Sequence, residues 1–219
     1  ADSWTISADG TEYTFNLRSG ITFHDGSAFD ADAVKFNFDR MLDENHPYHD
    51  TGPFPLSFFF SAIESVDVVN SSTVKFSLNA PYAPFLSNLA YPTGLIVSPA
   101  GVMANGADFG RNPSGTGPFK FEGWKSNEYV VVNRNDDYWD GTASLDGIVF
   151  RPLTDGNTRV AEMLSGGIDL MVEIPPTSLS EFSGSEYSVV EQAGPHVWFL
   201  ILNAKEGPFA NKKVRQAAT

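Results

Sequence analysis

A mixed fold of strands and helices, α/β or α+β, is predicted by three observations. Two hairpin signals lie near the start of the chain, at Asp9-Gly10 and at Asn70-Ser71-Ser72. An amphipathic helix pattern stands between them, behind Asp30. After residue 112, short apolar strand patterns alternate with further helix patterns. Hairpins interleaved with helices exclude an all-β sandwich.

The first hairpin pairs residues 4–7 with 11–17 around Asp9-Gly10, a tight-turn dipeptide. Tyr13, Phe15 and Leu17 alternate along the second strand, as one buried face requires. His24-Asp25-Gly26 makes a turn, and Asp30 stands where a helix N-cap belongs. Behind it Val34, Phe38, Met41 and Leu42 fall on one helical face. Residues 46–55 are polar and contain proline, so they read as a loop. Residues 63–69 and 73–78 form the second hairpin, and Pro81 to Leu86 open a short helix. Residues 101–114, rich in Gly, Asn and Asp, read as a loop and a domain boundary.

Beyond that boundary, strands are expected at 119–124, 129–134 and 147–152. A helix at 157–164 is ended by Gly166-Gly167, where glycine tolerates the left-handed conformation. Short strands at 168–171 and 187–191 flank a helix at 177–182. The unbroken apolar run 197–202 reads as a central strand buried on both faces. Residues 212–219 are mostly good helix formers that stop without a cap, a pattern expected of an excised piece of a longer chain. Neither an internal repeat nor a low-complexity tract interrupts the chain.

Composition narrows the function classes. Hydrophobic residues make up 42% and charged residues 19% of the 219 residues, so the chain has the means to bury a core. Eighteen Phe, seven Tyr and four Trp suit an aromatic core first and an aromatic cleft second. A net charge of -13 argues against nucleic acid and anionic membrane surfaces as partners. With no cysteine there are no disulfides, thiolate metal sites or thiol nucleophiles. Apolar runs fall well short of a membrane span.

Candidate chemistry is sparse. Gly115, Thr116, Gly117 and Pro118 lack the lysine and spacing of a phosphate loop, and the proline removes an N–H donor. They read as a tight crossing into a strand. His46, His49 and Asp50 have metal-ligand chemistry, but Pro47 breaks the helix that would align them. His24 beside Asp25 reads as a turn, since sequence neighbours seldom point together. Asp136, Asp137 and Asp140 lack the closing Glu of a calcium loop and read as turn residues. There is no nucleophile elbow, zinc-protease helix or dinucleotide fingerprint, so no catalytic residue and no cofactor are expected. A glycosidase-type carboxylate pair stays open in principle, because twenty-seven acids offer many pairs.

Six spaced segments carry a family resemblance. They are Trp4 with Asp9-Gly10 and Tyr13-Thr14-Phe15; Phe23-His24-Asp25-Gly26 with Ala31, Asp32, Val34 and Phe36; and Gly115 to Phe119. The others are Asn135-Asp136-Asp137-Tyr138-Trp139; Gly166-Gly167-Ile168-Asp169; and Asn203 with Pro208-Phe209, Asn211 and Val214-Arg215-Gln216-Ala217. In this order the segments resemble the extracytoplasmic solute-binding proteins of the peptide, nickel and oligopeptide class, the receptor components of ABC importers. Gly167 departs from the Glu that the family usually places there.

The resemblance implies part of a type II periplasmic-binding-protein-like fold, a monomer that closes on its ligand like a hinge. On the family's plan, residues 1–112 are the small extra domain, 113–203 part of lobe I, and 204–219 the first helix of lobe II. It further implies a periplasmic protein, or one lipid-anchored outside the cytoplasmic membrane. Its partners would be a peptide or other small solute and ABC permease subunits. Dipeptides, oligopeptides, glutathione, nickel chelates, oligosaccharides and opines all fall within the class. Tyr48 lies in a Pro-Tyr pair which, in the oligopeptide branch, sits near the cleft. His196, Trp198 and Phe199 lead into the strand that borders the cleft, with His196 and Trp198 on one face and Phe199 on the other. A regulator's cytosolic sensor domain of the same fold is the alternative, and a hydrolase the more distant one.

Overall fold

The computed structural model describes residues 1–194 and 199–218. It contains two compact units, Ala1–Pro152 and Leu153–Thr219. The architecture is mixed α/β, as the sequence predicts.

Strands β1 (Ser3–Ile6) and β2 (Glu12–Asn16) form the first hairpin. Gly10 turns it at φ +73, a value only glycine takes without strain. Helix α1 (Ala31–Leu42) starts where expected: the Asp30 carboxylate accepts from the Ala33 N–H at 2.9 Å. Strands β3 (Ile63–Asn70) and β4 (Thr73–Leu78) make the second hairpin. The antiparallel sheet runs in the order β1-β2-β4-β3.

One face of that sheet meets α1. Phe38 packs edge-on against Phe76 and Phe60, with ring centroids 4.9 and 5.2 Å apart. Tyr13, Ala31, Val34, Met41, Val66, Val74, Leu78 and Phe85 join them in this core, which among the described residues draws on residues 13–96. The periodicity behind Asp30 therefore identifies the buried stripe of α1 correctly.

Helix α2 (Phe85–Leu89) begins later than the Pro81 signal suggests. Residues 101–114 are not a loop. Helix α3 (Pro99–Asn105) and a 3-10 turn (Gly106–Arg111) occupy most of that stretch. The start signal is local: the Ser98 hydroxyl accepts from the Gly101 N–H at 3.0 Å, and Pro99 takes the first turn. The rest is tertiary, since Val102 is fully buried and a side chain at Gly101 would crowd Phe109 at 3.2 Å. Glycine here serves close packing, which composition alone reads as a loop.

A second antiparallel sheet follows in the same unit, in the order β5 (Phe119–Lys125), β6 (Tyr129–Arg134), β7 (Gly147–Phe150).

The second unit holds helix α4 (Gly156–Leu164), a 3-10 run (Pro176–Phe182), a short 3-10 turn (Pro208–Ala210) and helix α5 (Lys212–Ala217). Gly166, at φ +73, donates to the Met163 carbonyl, and Gly167 donates to that of Glu162, ending α4 in a Schellman arrangement. The strands expected at 168–171 and 187–191 do not form among the described residues. The described part of the run 197–202 is likewise no buried strand: Phe199 is 71% and Ile201 86% exposed. A strand needs a ladder partner, and the described residues of this unit offer none to these segments.

Candidate functional site

Of the residues expected at a ligand cleft, Tyr48 and Phe199 are described, while His196 and Trp198 lie outside the described residues. Tyr48 is half-buried in the first unit. Its ring packs near Phe36 and His46, at centroid distances of 5.8 and 6.0 Å. Its carbonyl accepts the Thr51 hydroxyl at 2.6 Å. Phe199, in the second unit, is largely exposed.

One ring nitrogen of each of His46 and His49 is engaged in a hydrogen bond. His46 Nδ1 accepts from the Tyr48 N–H at 3.2 Å, and His49 Nδ1 donates to the Arg40 carbonyl at 2.9 Å. No group of three metal-ligating side chains occurs among the described residues. Asp136 pairs with Arg134 at 2.7 Å and Asp137 lies 3.8 Å from Lys120, so these acids brace a turn.

His24 and the 115–118 loop turn out to be partners. The His24 backbone N–H donates to the Gly115 carbonyl at 2.8 Å. Its ring accepts the Gly115 N–H at Nδ1 (3.3 Å) and donates from Nε2 to the Gly117 carbonyl (3.0 Å). A carbonyl only accepts and a backbone N–H only donates, so the ring is the Nε2–H tautomer. Asn135 Nδ2 donates to the same Gly117 carbonyl at 3.1 Å. Asp25 points away from this ring, toward Ser27, and the Asp25 N–H donates to the Ser114 hydroxyl at 3.3 Å. Burial pushes the Asp25 carboxyl up, but bonds from Ser27, Ser98 and Ser114 outweigh it and hold the group below its usual range. This arrangement is a staple between two sequence-distant turns, with no dyad for catalysis.

A concavity that no sequence motif marks lies wholly in the second unit. It is a groove of about 680 Å³ lined by Met163, Leu170, Val172, Leu179, Phe182 and Val190, with Asp169, Glu173 and Glu191 also on its wall. Leu170 is 75% and Val190 87% exposed, unusual for clustered aliphatic side chains. Glu173 holds the left-handed region at φ +61. Arg159 braces that segment, donating to the carbonyls of Leu153 (2.8 Å), Thr154 (3.2 Å) and Glu173 (3.3 Å). The groove walls are largely the segments whose apolar runs suggest buried strands, so the signal was present and no strand partner for it stands among the described residues.

Comparison with known proteins gives this geometry a context. The sequence model of the "Bacterial extracellular solute-binding proteins, family 5 Middle" matches residues 1–219. The glutathione-binding protein GsiB of Pectobacterium atrosepticum is 37% identical over 99% of this chain and 41% of its own length. The periplasmic binding protein DppA of Helicobacter pylori, solved with the peptide STSA, superposes with a TM-score of 0.74 at 34% identity. That match covers 83% of this chain and 39% of DppA. MoaA of A. tumefaciens R10, solved with mannopinic acid, gives a TM-score of 0.81 at 27% identity over 99% of this chain and 43% of its own. The chain belongs to the family 5 bacterial extracellular solute-binding proteins. It spans about 41% of the length of GsiB.

Proposed function

We propose, from this family membership, that the whole polypeptide is the solute-capturing component of an ABC importer. It takes up a peptide or a similar small solute outside the cytoplasmic membrane. The single observation that carries the reading is the family match over residues 1–219, with relatives that bind glutathione or a short peptide.

On this reading residues 1–112 are the small extra domain, 113–203 belong to lobe I, and 204–219 open lobe II. That division follows the family's plan; compactness alone divides the chain after Pro152. The groove of the second unit is then part of the interior of lobe I, covered in the whole polypeptide by further chain. Its exposed Leu170, Val172 and Val190 support this assignment. Tyr48, His196, Trp198 and Phe199 are the side chains assigned to the cleft. Capture involves no covalent step: contacts from both lobes favour the closed state, and permease subunits read that state. Aromatic walls supply apolar area, and backbone groups hold an extended peptide.

Native mass spectrometry of the purified whole polypeptide tests the proposal. The expected result is a bound solute of peptide size, released chemically unchanged on denaturation. A solute converted during incubation points to an enzyme and contradicts the reading.

A further inference from the structure

Arg40 raises a question that solute capture does not answer. It lies in the last turn of α1 and is 7% exposed, yet no carboxylate pairs with it among the described residues. Asp39, its neighbour, is bound to Lys35 at 2.9 Å. Arg40 Nη1 donates to the Thr51 hydroxyl at 2.8 Å, while its Nε–H has no acceptor. Neutral acceptors satisfy the direction of a hydrogen bond but leave a buried charge uncompensated. Burial accordingly pushes the guanidinium below its usual range.

Beside this group lies a cavity of about 40 Å³, lined by Asn37, Arg40, Phe54, Thr93 and Leu95 among others. Its construction is specific. The Phe54 ring covers the guanidinium with its centroid 5.1 Å from Cζ, and Phe54 is held in the left-handed region at φ +37 to do so. Gly52 leaves the room this requires, because a Cβ there would meet the Phe54 ring at 3.0 Å. The Asn37 side chain donates to the Ala33 and Val97 carbonyls and its Oδ1 accepts from the Val97 N–H, and it makes no bond to the Arg40 Nε–H.

We propose that this cavity is a binding site for one chloride-sized monovalent anion, held by the Arg40 Nε–H. A water molecule occupies about 30 Å³ of liquid, so the volume matches one small species. An anion supplies both the missing acceptor and the missing charge, whereas water supplies only the acceptor. Thr93, on the same wall, carries a hydroxyl donor for the same ion. The proposal is independent of what the whole protein binds.

Two measurements on the intact protein test it. Bromide-soaked crystals should show an anomalous peak within hydrogen-bond reach of Arg40 Nε. Thermal melts at constant ionic strength should show a saturating rise in Tm of about 2–4 °C when gluconate is replaced by chloride or bromide. Arg40→Met, which keeps the bulk and removes the charge, should abolish that rise. If Arg40→Met does not fold, Thr93→Val should weaken the halide response in its place. No bromide peak, meaning that water alone fills the cavity, overturns the proposal. A peak without a thermal response means an adventitious ion only and overturns it equally, as does a full response in Arg40→Met.

Discussion

Single residues decide how the turns of the first unit are held. His24 joins a turn at the start of the chain to the 115–118 loop through both ring nitrogens. His24→Ala removes two hydrogen bonds and leaves a Gly115 N–H and part of the Gly117 carbonyl's bonding unmet. The expected loss is about 1–3 kcal/mol, read from denaturant melts. Asp25 contributes differently. Its carboxyl titrates below the usual range in the folded state, so its contribution is fully present above the ordinary carboxylate value near 4. It is lost as the pH falls through the lower folded value. The Tm gap between the wild type and Asp25→Asn should therefore shrink on acidification from neutrality toward pH ~3. A gap that stays constant over that range contradicts the assignment. The two residues stand together in the sequence and read as a turn; the structure adds which neighbours their side chains serve.

Elements built from local rules were legible in advance. Helix α1 was, because an Asp cap and an apolar stripe at helical spacing both point to one face. Asp30→Ala should destabilise by about 1 kcal/mol, since one N–H at the helix start loses its acceptor. Phe38→Ala should cost about 3–5 kcal/mol, because the ring fills the space between α1 and the first sheet against Phe60 and Phe76. Equilibrium unfolding of both variants checks the ranking, and a larger effect at Asp30 than at Phe38 would refute it. The Schellman end of α4 was equally readable from paired glycines. Helix α3 was not, because Gly101 signals a loop by composition and is instead required by the approach of Phe109. The segments at 168–171, 187–191 and 199–202 failed for another reason. Apolar runs report that a stretch is to be buried, but they do not say by which partner, and none of the described residues pairs with them.

At the scale of the whole molecule, the family was legible from six ordered segments, and the match across residues 1–219 agrees with it. The site was less legible. Tyr48 proved to pack on Phe36 and His46, and the expected aromatic strand is represented among the described residues by Phe199 alone of its three candidates. On the proposed reading the whole polypeptide is a hinged receptor whose ligand contacts are divided between two lobes, and a chain spanning about 41% of a relative's length would carry only part of them. Isothermal calorimetry with reduced glutathione and short peptides, on the whole polypeptide and on residues 1–219 alone, tests the central claim most directly. Saturable binding by the whole polypeptide and none by residues 1–219 is the predicted result. Tight binding by residues 1–219 alone, or no peptide bound by the whole polypeptide, would contradict it.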